Sequence, residues 1–184
     1  CEQCIAVLDD IDCFSASFKI YNANGYEVDN STIIEPDTSL NVYDSIYTEN
    51  IYVALYMQNL PSSLEGIILE LEFNPNVLSL NTWGFNPSEI EEELTGELNN
   101  SNELYVDVDD TIFTAVTYTT NEPYQGIGGN ILFLEFTPLG KNGDSTILNY
   151  NKVLINELVM QEQNYTSQVI YIGDCNGVYN GDSQ

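Results

Sequence analysis

The sequence predicts an all-β fold, an antiparallel two-sheet sandwich of the jelly-roll type with about nine or ten strands and one short helix. Three observations support this prediction. Apolar and polar residues alternate with a period of two along most of the chain. Short polar turns separate the alternating stretches, and no strand–helix–strand repeat of the kind that builds parallel sheets occurs. With 184 residues, 43% of them hydrophobic, the chain can form one domain with a sizeable core.

The first half of the chain predicts a series of strands, at 14–21, 39–43, 51–57, 64–73 and 77–80. The residues expected to point into the core from three of them are Phe14, Ala16, Phe18 and Ile20; Ile51, Val53, Leu55 and Met57; and Ile67, Leu69, Leu71 and Phe73. Tyr52 and Tyr56 fall on the opposite face of their strand. Glu70 and Glu72 are expected to face solvent.

The helix is predicted from Ser88 to about residue 94, ending near Gly96. Ser88 can cap its first turn while Glu91 reaches back, which is the capping-box arrangement. Further strands are expected at 103–108, 111–120, 130–136, 145–148, 152–160 and 167–172. In the strand at 130–136, alternation places Ile131 and Phe133 on one face, with Leu132, Leu134 and Phe136 on the other.

No internal repeat is present, and the chain divides into three parts. Residues 1–30 are a Cys-containing strand segment that packs on or extends the sandwich. Residues 31–172 form the sandwich itself, and residues 173–184 are a linker or the start of a Cys/Gly/Asp repeat.

The charge is strongly one-sided, with 3 Lys+Arg against 29 Asp+Glu and a net charge of -26. Binding to nucleic acid is excluded because phosphate contacts need clustered Lys and Arg. An anionic membrane would also repel this surface. No apolar run reaches the roughly 18 to 20 residues that a membrane span needs. Two explanations of the charge remain, a solvated acidic surface or sites for divalent cations.

The chain has no histidine. This removes the usual general base and the Ser-His-Asp and Cys-His arrangements of nucleophilic catalysis. Paired carboxylates could still hydrolyse glycosides, but no pair stands out among so many acids. We therefore predict that the protein is not an enzyme.

The cysteines indicate an oxidising, extracellular or cell-surface location. Cys1, Cys4 and Cys13 lie near the start and Cys175 near the end, an even number that suits disulfides. Four cysteines allow three pairings, which sequence alone cannot distinguish. We expect Cys13 to pair with Cys175, leaving the other two to pair locally or with a neighbouring chain. A lipidated N-terminal Cys1 and a processing boundary are alternatives.

Three sequons fit the same location and predict glycosylation at Asn30, Asn99 and Asn164. Chance is the competing explanation, because an Asn-rich chain produces such triplets readily.

Two stretches resemble cohesin domains, the sandwich modules of cellulosome scaffoldins. The first runs from Ile51 to Leu60 and then from Leu64 to Leu78, where Asn74 stands at the position that the family usually fills with Asp. The second is Gly128-Gly-Asn-Ile-Leu-Phe-Leu-Glu-Phe-Thr137, followed by a Gly-rich turn and Thr146-Ile-Leu. The resemblance covers roughly residues 39–172. It implies a non-catalytic sandwich that binds dockerin modules of partner proteins, and it assigns no contact residues.

Several residues are candidates for binding. Asp107, Asp109 and Asp110 could hold Ca²⁺, which takes six to eight oxygen ligands; a solvated acidic turn is the competing explanation. The acids Asp9, Asp10 and Asp12 form a similar group. Trp83 could provide a sugar platform or pack in the core, and Tyr52 and Tyr56 could form a binding face or a second packed layer.

These observations predict an extracellular protein–protein recognition module whose partner is another protein module. One alternative is a subunit that assembles with copies of itself into a filament or surface layer by β-strand addition. A further alternative is a carbohydrate-binding module that takes a polysaccharide.

Overall fold

The computed structural model describes residues 14–23, 25–28, 33–34, 50–61, 63–86, 102–119, 123, 128–141 and 143–172. Its strands are β1 (Ser15–Tyr21), β2 (Glu27–Val28), β3 (Ile33–Ile34), β4 (Ile51–Gln58), β5 (Gly66–Glu72), β6 (Leu78–Gly84), β7 (Asn102–Asp109), β8 (Ile112–Thr119), β9 (Gly128–Pro138), β10 (Ser145–Ile155), β11 (Leu158–Val159) and β12 (Gln168–Ile172). One turn of 3-10 helix, Glu162–Asn164, precedes β12. The predicted helix at 88–94 and the predicted strand at 39–43 lie outside the described residues.

The strands form two sheets. The five-stranded sheet has the order β2-β1-β4-β9-β6, and the seven-stranded sheet has the order β3-β12-β10-β5-β8-β7, with β11 paired to β10. All of these pairs are antiparallel except the two-residue pair of β12 with β3. The predicted all-β, antiparallel two-sheet sandwich is therefore confirmed. Strand β1, from the Cys-containing segment, pairs along its whole length with β4.

The core lies between the sheets and contains the residues that alternation predicted to point inward. Ala16, Val53, Met57 and Leu71 have no exposed surface, and Leu69 is 1% exposed. Aromatic rings join the two sheets across this core. The Phe18 ring of β1 stacks on the Tyr150 ring of β10 with centroids 4.4 Å apart, and Phe73 meets Phe136 edge-on at 5.2 Å.

Two β-bulges alter the predicted pattern. In β9 the register shifts between Leu55 and Tyr56 of the facing strand, so Ile131 is an extra residue opposite β4. As a result Ile131 packs in the main core with Leu132, and the prediction that it shares a face with Phe133 is wrong. In β10 a bulge at Asn151 joins the strand predicted at 145–148 to residues 152–155, so one strand runs from Ser145 to Ile155. The prediction of a single strand over 152–160 is wrong, because a turn at Asn156 and Glu157 reverses the chain into β11.

Candidate functional site

The outer faces of the two sheets differ in exposure. On the five-stranded sheet, Tyr21, Tyr52, Ala54 and Phe133 point away from the main core, yet none exceeds 6% exposure. They form a second, smaller hydrophobic cluster. On the seven-stranded sheet, outward-pointing side chains are open, as Tyr105 shows at 56% exposure. The described part of the molecule therefore offers the seven-stranded sheet as its open face.

An apolar row crosses this open face at right angles to the strands. The strand registers pair Tyr105 of β7 with Val116 of β8, Val116 with Ile68 of β5, Ile68 with Leu154 of β10, and Leu154 with Val159 of β11. Directly opposed residues on one sheet face have neighbouring side chains. At about 4.8 Å between strands, the row is about 19 Å long.

The apolar row is most exposed at its two ends. Tyr105 and Val159 are exposed, whereas Ile68, Val116 and Leu154 between them are half-buried. At the β7 end, the Tyr105 ring stacks on the Tyr118 ring with centroids 6.0 Å apart and an interplanar angle of 10°. A hydrogen bond with Tyr105 is the main cause that raises the pKa of Tyr118 above its ordinary value of 10.0. The two rings therefore present a flat aromatic surface at this end of the row.

At the other end, the turn between β10 and β11 fixes the position of Leu154 and Val159. Asn156 and Glu157 have φ angles of +48° and +69°, which a two-residue hairpin of the primed type requires. The Asn156 side chain accepts hydrogen bonds from the backbone N–H groups of Glu65 (2.8 Å) and Gly66 (3.2 Å) and donates one to Ser63 O (2.7 Å). The turn is thus tied to the start of β5.

The charges around the row are almost all negative. Glu103, Asp107 and Asp109 occupy the other outward positions of β7 and are exposed. Glu70 is the next outward residue after Ile68 on β5, and its carboxylate lies 3.6 Å from the Lys152 ammonium. An apolar row bordered by carboxylates can bind a complementary protein surface, because apolar contact supplies affinity and charge supplies selectivity.

The predicted calcium ligands lie on this same face and hairpin. Asp107 and Asp109 share the outer face of β7, and Asp110 occupies the turn to β8 with φ +47°. Across the described ranges, no three Asp, Glu, His or Cys side chains come together as a group that could hold a metal ion. The calcium site stays a prediction.

The structure brings two of the three predicted aromatic binding residues, Tyr52 and Trp83, to one cavity that Tyr56 does not line. Tyr52 is buried at 6% exposure, and Tyr56 is half-buried under Lys19, whose Nζ lies 4.7 Å from the Tyr56 ring centroid. Trp83 is 41% exposed and sets its ring edge-on against Phe113, with centroids 5.9 Å apart. Tyr52 and Trp83 both line a cavity of about 90 Å³, and Glu135 also lines it. Their binding roles stay predictions.

The remaining predicted sites fall mostly elsewhere in the chain. Cys1, Cys4, Cys13 and Cys175, with Asn30 and Asn99, lie outside the described residues. Asn164 ends the 3-10 turn and is half-exposed, and the N–H of Thr166 in the same sequon donates to Ala16 O at 2.9 Å. In the described part of the chain, no helix has the length and apolar character needed to cross a membrane.

Sequence reasoning missed the apolar row. Its signal was present as apolar residues at outward positions, such as Ile68 beside the inward Ile67 and Leu154 beside the inward Val153. What the sequence lacked was the register that brings these positions together from five strands.

No protein-family model and no curated protein matches the sequence. Solved structures do match, and they are cohesin modules. The cohesin module of a Clostridium perfringens family 33 glycoside hydrolase has a TM-score of 0.56 and 10% identity, covering 87% of this chain and 98% of that chain. A type III cohesin from a cell-surface anchoring scaffoldin of Ruminococcus flavefaciens has a TM-score of 0.54 and 13% identity, covering 89% and 92%.

A third match is the sixth cohesin of scaffoldin B from Acetivibrio cellulolyticus, solved in complex with a dockerin. Its TM-score is 0.52 at 9% identity, covering 86% of this chain and 98% of that chain. At these identities the likeness shows the fold. The cohesin-like sandwich that the sequence predicted is confirmed at that level.

Proposed function

We propose that this cohesin-like domain is a non-catalytic, extracellular recognition module that binds another protein through the open face of its seven-stranded sheet. The observation that carries the proposal is the apolar row. Five aligned side chains, with a stacked tyrosine pair at one end, leave apolar surface in contact with water that a partner would bury. Exposed tyrosines are among the residues that contribute most to protein interfaces.

The dimensions of the row indicate what kind of segment would cover it. An α-helix rises 1.5 Å per residue, so about 13 residues of helix would span the row of about 19 Å. An amphipathic helix lying across the strands presents its apolar side chains in one stripe of the same shape. The dockerin bound by the similar Acetivibrio cellulolyticus cohesin supports a protein module as the partner class.

The test compares two Leu→Lys variants that change charge equally. Leu154→Lys places a cation within the apolar row, whereas Leu139→Lys changes an exposed leucine in the turn after β9. Each protein is immobilised and exposed to the secretome of its source organism, and the captured proteins are identified. We expect the wild type and Leu139→Lys to recover the same discrete protein partner and Leu154→Lys to lose it.

A second variant protects the test against misfolding at the half-buried Leu154. Tyr105→Ala removes an exposed side chain, and we expect it to weaken binding of the recovered partner by roughly 5-fold or more. Circular dichroism confirms the fold of each variant. Undiminished binding by both Leu154→Lys and Tyr105→Ala would exclude this face. Recovery of polysaccharide alone would favour a carbohydrate-binding module instead.

A further inference from the structure

The charge around the apolar row is unevenly distributed along it. At the β7 end, the outward positions of the edge strand are Glu103, Tyr105, Asp107 and Asp109, so carboxylates lie on both sides of the aromatic anchor. Outward positions on one strand are about 6.7 Å apart. Any group that covers the Tyr105 ring therefore lies within a Debye length of Glu103 and Asp107, since that length is about 10 Å at 0.1 M salt.

The β10–β11 end has a different character. Lys152 stands beside Leu154 on β10 and pairs with Glu70, which neutralises the carboxylate nearest the middle of the row. Leu154 and Val159 then continue the row as apolar surface, with the exposed Glu157 in the turn between them. The chain has only 3 Lys+Arg. The other two cations lie away from this face, Lys19 against Glu27 and Tyr56 on the five-stranded sheet and Lys141 in the turn before β10.

We propose that the partner's contacting segment is polarised, with Lys or Arg at the end that lies over β7 and apolar side chains over β10 and β11. This inference rests on the proposed function of the face and identifies the chemistry of its partner. Cations over Glu103, Asp107 and Asp109 compensate carboxylates that no basic side chain of this face neutralises. Reversing the segment would place those cations beside Lys152 and leave the β7 acids against apolar groups, which is unfavourable.

Two consequences follow from this polarity. The segment binds in one direction along the row, because the two ends differ in charge. Association is also steered by long-range attraction between a strongly acidic domain and a basic segment, so the association rate falls as salt rises.

The test uses three synthetic helical peptides that share one leucine stripe. The first has lysines at its N-terminal end, the second has them at its C-terminal end, and the third has glutamates at its N-terminal end. Binding to the full chain is followed by NMR at low and high salt. We expect both lysine peptides to have an affinity at least about 10-fold higher than that of the glutamate peptide at low salt. The reason is that several exposed charge pairs between the peptide and the β7 carboxylates change from repulsive to attractive.

Direction is read from a nitroxide label on the lysine end of each peptide. We expect it to broaden the amide signals of β7 and β8 and to leave those of β10 and β11 sharp, whichever peptide terminus carries the lysines. Equal broadening at both ends of the row would overturn the inference. So would equal affinity of the lysine and glutamate peptides.

Matched variants separate this inference from the proposed function. Asp107→Asn/Asp109→Asn removes two charges at the β7 end, whereas Glu157→Gln/Glu162→Gln removes two exposed charges at and beyond the β10–β11 turn. We expect the first pair to weaken binding by about 1.5- to 5-fold per carboxylate and the second pair to change it much less. Leu154→Lys could abolish peptide binding while the two double variants weaken it equally. That result would support binding through the open face and contradict the proposed polarity of the partner segment. If Leu154→Lys has no effect, the face itself fails.

Discussion

Tyr150 shows how one buried polar residue links the two sheets. Its ring lies in the core and stacks on Phe18, and its hydroxyl donates to Ser17 O at 2.9 Å. Both contacts join β10 of one sheet to β1 of the other. Because burial disfavours the phenolate, the pKa of Tyr150 is raised well above 10.0.

This burial predicts an alkaline limit to stability. Above pH 10 the unfolded chain releases the Tyr150 proton and the folded chain keeps it, so the free energy of unfolding falls by about 1.4 kcal/mol per pH unit from this group. The contribution is complete below pH 10 and is lost as the pH rises toward the folded-state pKa. Tyr150→Phe removes this part of the slope.

Comparing Tyr150→Phe with the wild type at neutral and at alkaline pH separates the loss of the hydrogen bond from the loss of the ionisable group. At pH 7, Tyr150→Phe should destabilise the fold by about 0.5 to 1.5 kcal/mol, because one hydrogen bond is lost while the ring stays. Near pH 11, the difference from the wild type should shrink or reverse. Urea denaturation at several pH values measures it. Parallel curves for the two proteins from pH 8 to 11 would contradict the prediction.

Asn156 is a second residue on which the face depends. Its positive φ suits Asn better than most residues, and its side chain satisfies two backbone donors and one carbonyl at the start of β5. We expect Asn156→Ala to cost about 2 to 3 kcal/mol of unfolding free energy. Asn156→Gly keeps the backbone conformation and loses only the side-chain bonds, so chemical denaturation should place it between the wild type and Asn156→Ala.

At the scale of the strand, β9 depends on close backbone contact with β4. Gly128 has φ +129°, and a Cβ there would collide with the Met57 carbonyl oxygen and approach Gln58 Cα to 2.9 Å. Only glycine can bring the two backbones together in this geometry.

We therefore expect Gly128→Ala to destabilise the fold by roughly 2 kcal/mol or more. Gly84→Ala is the matched control, because a Cβ on this β6 residue would meet its nearest neighbour, Asn86 O, at an ordinary 3.5 Å. Melting temperatures should fall by several degrees for Gly128→Ala and change little for Gly84→Ala. Similar losses for both variants would contradict the assigned strain at Gly128.

Sequence periodicity was sufficient to predict most strands and their inward faces. Alternation reports directly which side of a strand is buried, as Ile67, Leu69 and Leu71 show. Bulges were not predictable, because the extra residue at Ile131 or Asn151 is defined only against a partner strand. The apolar row escaped prediction for the same reason: Tyr105 and Val159 are 54 positions apart (159 minus 105) and come into line only through four strand registers.

For the whole molecule, the net charge of -26 determines how stability responds to ions. Carboxylates repel one another in the compact fold, and this repulsion weakens as salt shortens the Debye length. We expect the melting temperature to rise by roughly several degrees between about 10 mM and 300 mM NaCl, where the Debye length falls well below 10 Å. Differential scanning calorimetry measures the rise. A melting temperature that falls or stays constant would show that self-repulsion is not significant.

The calcium hypothesis is tested against that background by comparing calcium with chelator while NaCl holds the ionic strength fixed. If Asp107, Asp109 and Asp110 bind Ca²⁺, an excess of about 100-fold over the dissociation constant stabilises the fold by about 2.7 kcal/mol. At about 2 to 4 °C per kcal/mol for a domain of this size, the shift would be several degrees. Asp109→Ala should abolish the shift, because it removes the central carboxylate of the three. Equal melting points with calcium and chelator would exclude a stabilising site, and a shift that survives Asp109→Ala would assign the cation to Asp9, Asp10 and Asp12 or to other acids.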